Sequence, residues 1–238
     1  MRKLSILFIL SLLVVALMPS CRKVSGSGPV VSETRNISGF REVKSDFSGD
    51  VYVTQGSTYN VRIEAQQNII DVIETVLNDG ILTLRGKSNT IIKPDTRIKI
   101  YITMPNIDGL VVSGSGDMML QNDVATSDLY MKVSGSGSIT VPKLTAGSVD
   151  ANITGSGEID IWDGTVTSET IDISGSGSMD FSGLKANTGD IRISGSGDAR
   201  VYVTSSLKVR ISGSGSVYYR GTPTIDVSIT GSGKLKPM

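Results

Sequence analysis

The chain contains no histidine and only one cysteine, Cys21, among its 238 residues. Histidine is the usual general base near neutral pH and the commonest protein ligand of transition metals. A single cysteine excludes a disulfide within one chain, so stability has to come from burial and backbone hydrogen bonds. We therefore expect no metal centre, no cofactor and no catalytic residue. Carboxylate chemistry of the glycosidase kind is the one catalytic class left open.

An excess of charge of one sign is also missing, because 23 basic residues balance 23 acidic ones. If the first twenty residues are removed, Arg2 and Lys3 go with them, leaving 21 basic and 23 acidic residues and a net charge of −2. That balance provides no positive field for nucleic acid. We therefore expect no nucleic-acid partner.

The one long apolar run lies at the N-terminus. Arg2 and Lys3 precede the largely apolar segment 4–18, and Ser20 stands directly before Cys21. A charged start, a short apolar core and a small residue before the cleavage point are typical of a secretion signal, and the run is too short to span a bilayer. The position of Cys21 indicates lipidation. An ordinary secretion signal with an incidental cysteine is the alternative.

These features predict the domain organisation. Residues 1–20 form a lipoprotein signal peptide, and residues 21–35 form the anchor and a flexible linker rich in glycine and serine. Residues 36–238 form one domain, in which 36–106 are irregular and 107–238 are repetitive. We expect an exported protein that is lipid-anchored in the cell envelope, at the outer membrane.

Glycine is abundant, with 27 residues, and much of it recurs in one motif. The tetrapeptide [Ser/Thr]-Gly-Ser-Gly occurs seven times at intervals of 18 to 21 residues, beginning at Ser113, Ser134, Thr154, Ser174, Ser194, Ser212 and Thr230. Self-similarity at about 20 residues is typical of a solenoid, in which every repeat forms one coil stacked on the previous one.

The residues around each motif alternate as in a β-strand. A β-branched residue precedes every copy, namely Val112, Val133, Ile153, Ile173, Ile193, Ile211 and Ile229. Further apolar residues keep a strict period of two on both sides, which predicts strands with one buried face. The fold class is therefore all-β, a parallel β-helix-like solenoid whose coils are about 4.8 Å apart. Both glycines of a motif would point inward and both hydroxyl residues outward; a simple Gly-Ser-Gly turn is the alternative.

The segment before the repeats contains weaker signals. Asp46-Phe47-Ser48-Gly49 resembles a degenerate motif, with Phe47 in place of the first glycine. Asn78-Asp79-Gly80 predicts a hairpin turn. The apolar spacing in 68–76 suits one or two helical turns packed over the first coils. At the other end, Lys234, Lys236 and Pro237 are residue types that blunt a sheet edge.

Charged residues recur at the same outward positions on successive coils. One column contains Asn152, Asp172, Arg192 and Arg210, and another contains Asp160, Asp180 and Arg200. Opposite charges on neighbouring coils are typical of solvated cross-strand pairs. A catalytic carboxylate pair at Asp160 and Asp180 is the alternative.

Aromatic residues make up only 5% of the chain, so those that face outward are candidate ligand contacts. Trp162 and Tyr202 each lie eight residues after the start of a motif, two coils apart, which predicts a separation of about 10 Å. Tyr218 lies on the following coil. Rings at this spacing can stack on the sugars of an extended glycan. A Trp162 that merely covers a turn is the alternative.

Several features together resemble one family of bacterial envelope proteins. They are the leader with its cysteine, the serial Gly-Ser-Gly coils, and the segments Gly39-Phe40-Arg41-Glu42-Val43, Asn78-Asp79-Gly80-Ile81-Leu82 and Met104-Pro105-Asn106-Ile107. The family is that of the "putative auto-transporter adhesin, head GIN domain", and the resemblance covers essentially the whole mature chain. It implies a right-handed parallel β-helix-like domain on an exported lipoprotein and carries over no catalytic residue.

The expected function is that of a non-enzymatic cell-envelope lipoprotein, which acts as a surface adhesion module or binds a glycan or a protein. It would contact the membrane through its lipid, and a homo-oligomer is compatible with the sequence. A purely structural envelope protein and, more remotely, a polysaccharide-processing β-helix enzyme are the alternatives.

Overall fold

The computed structural model describes residues 22–238. The predicted signal peptide and the predicted lipidation site, Cys21, lie outside these residues, so both stay predictions. Within the described residues the chain forms 22 strands and one helical turn, which confirms the all-β class.

Nine strands and the helical turn precede the regular repeats. Their bounds are β1 Arg22–Ser25, β2 Val30–Arg35, β3 Glu42–Asp46, β4 Asp50–Gln55, β5 Asn60–Gln66, α1 Gln67–Ile70, β6 Ile73–Asn78, β7 Ile81–Gly86, β8 Thr90–Lys93 and β9 Lys99–Met104.

Thirteen strands form the repeats. Their bounds are β10 Gly109–Gly114, β11 Asp117–Leu120, β12 Val124–Ala125, β13 Asp128–Gly135, β14 Ser138–Val141, β15 Leu144–Gly155, β16 Glu158–Ile161, β17 Gly164–Gly175, β18 Ser178–Gly195, β19 Asp198–Gly213, β20 Ser216–Arg220, β21 Thr224–Gly231 and β22 Lys234–Pro237.

The coils stack in an order that differs from the chain order. β3 and β4 belong to one coil, and β10 and β11 pair with them in parallel. On the side of this coil that faces away from β10 and β11, β7 pairs in parallel with β3 and β9 pairs in parallel with β4. The segment that contains β7 and β9 is therefore nearer to the N-terminal end of the solenoid than β3 and β4, although it comes later in the chain. The degenerate motif is thus part of a true coil, with Asp50 paired to Asp117.

Antiparallel strands cover this N-terminal end of the solenoid. β6 pairs with β7 through the predicted hairpin, and Asp79 and Gly80 at its turn have φ values of 48° and 79°. β5 pairs with β9, and β2 pairs with β5. The predicted helix over 68–76 is limited to α1, with Ile69 and Ile70 buried, because the chain enters β6 at Ile73.

Residues 22–35 differ from the flexible linker that the sequence predicts. β1 pairs in parallel with β8, and β2 pairs with β5. Val24 is buried, and a Cβ on Gly26 would lie 2.7 Å from Oε1 of Gln66. The composition of this segment predicts a tether because composition does not show that its backbone pairs with strands 26 to 68 residues further along the chain.

From β10 onward the coils form three parallel ladders. The motif ladder contains the strand segments that end at the first glycine of each motif, and the second ladder contains those that begin after the second glycine. The third ladder is shorter and joins residues 124–125, 144–146, 164–166 and 184–186. Equivalent residues stay in register, as in the column Ile153, Ile173, Ile193, Ile211 and Ile229. The predicted parallel solenoid is confirmed.

Each motif forms a corner between the motif ladder and the second ladder. The first glycine has a positive φ, such as 125° at Gly175, and the second glycine is buried in every motif except the last, where Gly233 is partly exposed. A Cβ on Gly177 would lie 2.6 Å from the carbonyl oxygen of Gly157 and 2.6 Å from Cγ2 of Ile153. The inward prediction is therefore right for the second glycine, while the first is only half-buried because it makes the turn. All seven middle serines are exposed as expected.

The inward apolar columns form a continuous core that is buried up to the coil before the last one. Ile173 in the middle of the solenoid is 2% exposed. On the last coil, Ile225, Val227 and Ile229 continue the same columns but are 38%, 46% and 39% exposed. The C-terminal end of the described solenoid has no antiparallel strands over it, in contrast to the N-terminal end.

Candidate binding surface

The outer face of the motif ladder has two regular columns of polar residues. The charged column is Asn152, Asp172, Arg192 and Arg210, followed by Ser228, and each residue is the Cα partner of the next. The hydroxyl column, two residues further along each strand, is Thr154, Ser174, Ser194, Ser212 and Thr230. The predicted order of the charged column is confirmed.

Ion pairs hold the long side chains of the charged column in place. Arg192 contacts Asp190 at 2.8 Å and Asp172 at 3.5 Å, and Arg210 contacts Asp226 at 3.4 Å. Burial raises the pKa of Asp172, and Arg192 opposes that rise. Exposed pairs of this kind contribute little to stability, typically up to about 1 kcal/mol each. Their main effect is to fix a pattern of donors and acceptors on the surface.

Between the two columns lies an open groove of about 510 Å³. We call it the motif groove. Its walls are the charged and hydroxyl columns, and its floor is formed by Ile153, Ile173, Ile193 and Ile211. Five coils contribute to it, so at about 4.8 Å per coil it runs for roughly 19 Å along the solenoid. The sequence predicts both columns but not the groove between them. The depth of the groove depends on how far the arginine and aspartate side chains extend above the sheet, and the sequence does not show this.

The carboxylates on the second ladder lie where the sequence placed them. Asp160 and Asp180 are Cα partners on neighbouring coils. Burial, with a contribution from Glu158 and Asp180, raises the pKa of Asp160 to about 6. Asp180 accepts hydrogen bonds from the Ser182 hydroxyl at 2.6 Å and from the Ser182 N–H at 3.0 Å. Arg200 lies 3.9 Å from Asp180. The Asp180–Arg200 pair is the opposite-charge contact that the sequence predicts, whereas Asp160 and Asp180 are like charges on neighbouring coils.

Trp162 lies on the surface directly after β16 and is 62% exposed. Its backbone N–H donates to the Val141 carbonyl oxygen at 3.0 Å, so the main chain is held while the ring faces solvent. Gly183 on the next coil sits directly over the Trp162 carbonyl group, where a Cβ would not fit.

Tyr202 does not share a column with Trp162, in contrast to the expectation from the spacing. Tyr202 pairs with Lys185, and Lys185 pairs with Thr165, which lies three residues after Trp162. The physical reason is a register shift between Phe181 and Lys185, where one coil is longer than the next. Residues at the same distance in sequence from their motifs are therefore not aligned beyond this corner.

Cations cover the tyrosine rings that the sequence singled out. The Arg220 guanidinium lies 4.8 Å from the ring centre of Tyr202. Tyr218 has Arg200 at 5.5 Å and Lys236 at 5.8 Å from its ring centre. Such cation–π contacts occupy ring faces that a sugar would need. Of the three predicted contacts, Trp162 has the most accessible ring.

Two features were missed at the sequence level. Tyr52 and Tyr101 stack with ring centres 5.1 Å apart, and Arg62 covers Tyr101. Both tyrosines occupy the middle of an alternating strand, but their pairing follows from the out-of-order stacking of β4 and β9. The other feature is Glu169, which is buried in an inward column between Val149 and Gly189. Extending the repeat alignment by two residues would have revealed it.

Within residues 22–238, no group of three or more acidic or cysteine side chains is arranged to hold a metal ion. The same part of the chain contains no helix that is long and apolar enough to cross a bilayer.

The family profile of the "putative auto-transporter adhesin, head GIN domain" matches residues 39–223. The chain belongs to this family. No curated protein matches the chain.

Solved structures share the GIN-domain fold. A "putative adhesin" from Bacteroides fragilis NCTC 9343 superimposes with a TM-score of 0.86 at 25% identity, over 90% of this chain and 100% of that one. A "putative lipid binding protein" from Parabacteroides distasonis ATCC 8503 has a TM-score of 0.76 at 23% identity, over 91% and 100%. A "putative adhesin" from Parabacteroides merdae ATCC 43184 has a TM-score of 0.76 at 22% identity, over 91% and 99%. The last two show the fold alone.

Proposed function

We propose that this chain is a non-enzymatic adhesion module of the cell envelope that binds an extended glycan along the motif groove. The observation that carries the proposal is the regularity of the groove over five coils. A polymer lying along it would meet a serine or threonine of the hydroxyl column every 4.8 Å or so, beside donors and acceptors of the charged column that vary from coil to coil. The adhesin name that the family and its solved structures bear supports a role in surface binding.

The groups in the groove suit a glycan. Serine and threonine hydroxyls both donate and accept hydrogen bonds, as sugar hydroxyls do. Arg192 and Arg210 add guanidinium donors, and Asn152 and Asp172 add acceptors. Because the arginines already contact Asp172, Asp190 and Asp226, the groove as a whole has no strong preference for acidic sugars.

The proposal includes the location of the protein. The leader and Cys21 support export and attachment by lipid to the outer membrane. β1 begins at Arg22 and belongs to the covered N-terminal end of the solenoid. A lipid on Cys21 would therefore hold the domain by that end and leave the sides of the solenoid, including the motif groove, accessible.

A glycan array followed by titration of the strongest hit tests the proposal. Arg192→Ala together with Arg210→Ala should weaken binding at least tenfold, because both residues line the groove. Arg200→Ala is the matched control, since it is an equally exposed arginine on the second ladder. It should leave the affinity unchanged.

Two results would overturn the proposal. A hit that is lost with Trp162→Ala, but keeps its affinity in the double arginine variant, would assign binding to the aromatic surface. An array of envelope and host glycans with no hit at all would favour a protein partner or a purely structural role.

A further inference from the structure

The last coil of the described solenoid exposes an apolar strand edge. β21 pairs with β19 on one side, and within residues 22–238 no strand pairs with its other side. Its inward residues Ile225, Val227 and Ile229 are about 40% exposed, although the residues they stack on are buried. An open, apolar edge of eight residues is a template for pairing with another strand.

The other terminal strands of the solenoid are protected by charge. Glu33 and Arg35 form an ion pair on β2, and Glu74 of β6 pairs with Arg85. β22 presents lysines at both outward positions. A head-to-tail contact would place apolar β21 against one of the charged N-terminal strands. The exposed apolar residues Val30 on β2 and Leu77 on β6 stand singly, whereas β21 has three in alternation, so among the described strand edges another β21 is the best match and a second copy of this chain fits best.

We propose that two copies associate head to head by antiparallel pairing of β21 with β21, around a two-fold axis through Val227. In this register Val227 faces Val227 of the second copy, and Ile225 faces Ile229 of the second copy. Asp226, the one charged residue of β21, faces a Ser228 hydroxyl. All three apolar residues find apolar partners, and the carboxylates of the two copies do not meet.

Neighbouring registers are worse for identifiable reasons. A shift by two residues in one direction places Asp226 directly opposite its own copy, which is repulsive. A shift by two in the other direction leaves Ile225 opposite Gly231. A shift by one places the inward face of one strand against the outward face of the other. A two-fold contact of this kind is closed, so it gives dimers and not filaments.

The arrangement has a consequence for adhesion, which rests on the proposed lipid anchor. β21 lies at the opposite end of the solenoid from β1 and β2. A head-to-head pair therefore has its two N-termini at its far ends. If Cys21 is lipidated, copies on facing membranes would be joined through their free ends.

Cross-linking in the full chain with Cys21→Ser, which removes the native thiol, tests the register. Directly opposed residues of antiparallel strands have Cα atoms about 4.5–5.5 Å apart, within disulfide range. Val227→Cys should give a disulfide-linked dimer under mild oxidation. Ile229→Cys is the matched control and should not cross-link alone, because residue 229 of one copy lies about 13 Å along the strand from residue 229 of the other. Combining it with Ile225→Cys should restore the dimer.

Sedimentation of the same Cys21→Ser chain tests association without cross-linking. The parent should be a dimer at micromolar concentration, and Val227→Lys should be a monomer with an unchanged circular dichroism spectrum. A monomeric parent, a dimer that persists in Val227→Lys, or a ladder of higher oligomers would overturn the proposal. Because this chain lacks Cys21, the result does not depend on the lipid anchor. If Val227→Lys fails to fold, the cross-linking pattern decides.

Discussion

At the residue scale, Glu169 is the least expected feature of the core. Its side chain is 1% exposed, and neither carboxyl oxygen has a hydrogen-bond partner among the described residues. Gly189 on the next coil leaves room for it, since a Cβ there would lie 3.3 Å from Oε1 of Glu169. Burial raises the pKa of this carboxyl well above its ordinary value of 4.5. The charged form of this carboxyl is therefore disfavoured in the folded protein.

Glu169 should make the fold less stable as the pH rises. The pKa of Glu169 is higher in the folded than in the unfolded protein. The free energy of unfolding is therefore highest below the unfolded pKa near 4.5, where the side chain is protonated in both states, and it falls as the pH rises toward the folded pKa. Within that window the loss is about 1.4 kcal/mol per pH unit. Glu169→Leu should remove this slope and raise the melting temperature by several degrees at pH 8. Thermal melts from pH 4 to pH 9 measure both effects.

Glu169→Gln is the control for this prediction. It keeps the shape of the side chain and cannot ionise, so it should flatten the pH dependence while keeping the cost of an unpaired polar group. A parent protein whose stability is the same at pH 5 and pH 8, or an unchanged slope in both variants, would show that Glu169 is not the cause.

At the element scale, the corner that each [Ser/Thr]-Gly-Ser-Gly motif forms is the element that the sequence predicts best. A period of two around each motif placed Ile153 and Ile173 inside and the middle serines outside, and the structure agrees. The role of the first glycine could not be derived in the same way, because a turn breaks the alternation that the argument depends on. Likewise, the longer coil around Ser182 and Gly183 has no periodic signal, which is why the position of Tyr202 was misjudged.

The second glycine of a motif should tolerate no side chain. In Gly177→Ala the new methyl group would lie 2.6 Å from the Gly157 carbonyl oxygen, so neighbouring coils would have to separate. Overpacking of this kind costs about 1–3 kcal/mol. Ser176→Ala, one residue away and exposed, should change the unfolding free energy by less than about 0.5 kcal/mol. Urea denaturation of the two variants compares them directly, and equal losses would mean that the corner is not packed as described.

At the scale of the whole molecule, the two ends of the solenoid differ. Antiparallel strands cover the N-terminal end, and β21 leaves the other end open. The sequence predicted an irregular N-terminal segment, but it could not predict that β7 lies outside β3, since coils that stack out of chain order leave no fixed repeat. The motif groove was likewise only half predictable, through its two columns.

The anchor belongs to this scale because it sets which end of the molecule faces the membrane. If Cys21 is lipidated, Cys21→Ser should move the protein from the detergent-requiring membrane fraction to the aqueous fraction of the cell envelope. Ser20→Ala keeps a small residue before the cysteine and should leave the protein in the membrane fraction. Fractionation of the producing cells with immunodetection measures both. Cys21→Ser that still requires detergent would contradict lipid anchoring.

The dependence of affinity on glycan length tests the central claim most directly. The motif groove repeats the same columns over about 19 Å, so each added sugar should gain contacts until the oligomer spans five coils. Calorimetric titration with an oligosaccharide series of the strongest array hit should show affinity rising with length and then levelling off. An affinity that is independent of length, or that is as strong for a single sugar as for the longest oligomer, would contradict binding along the groove.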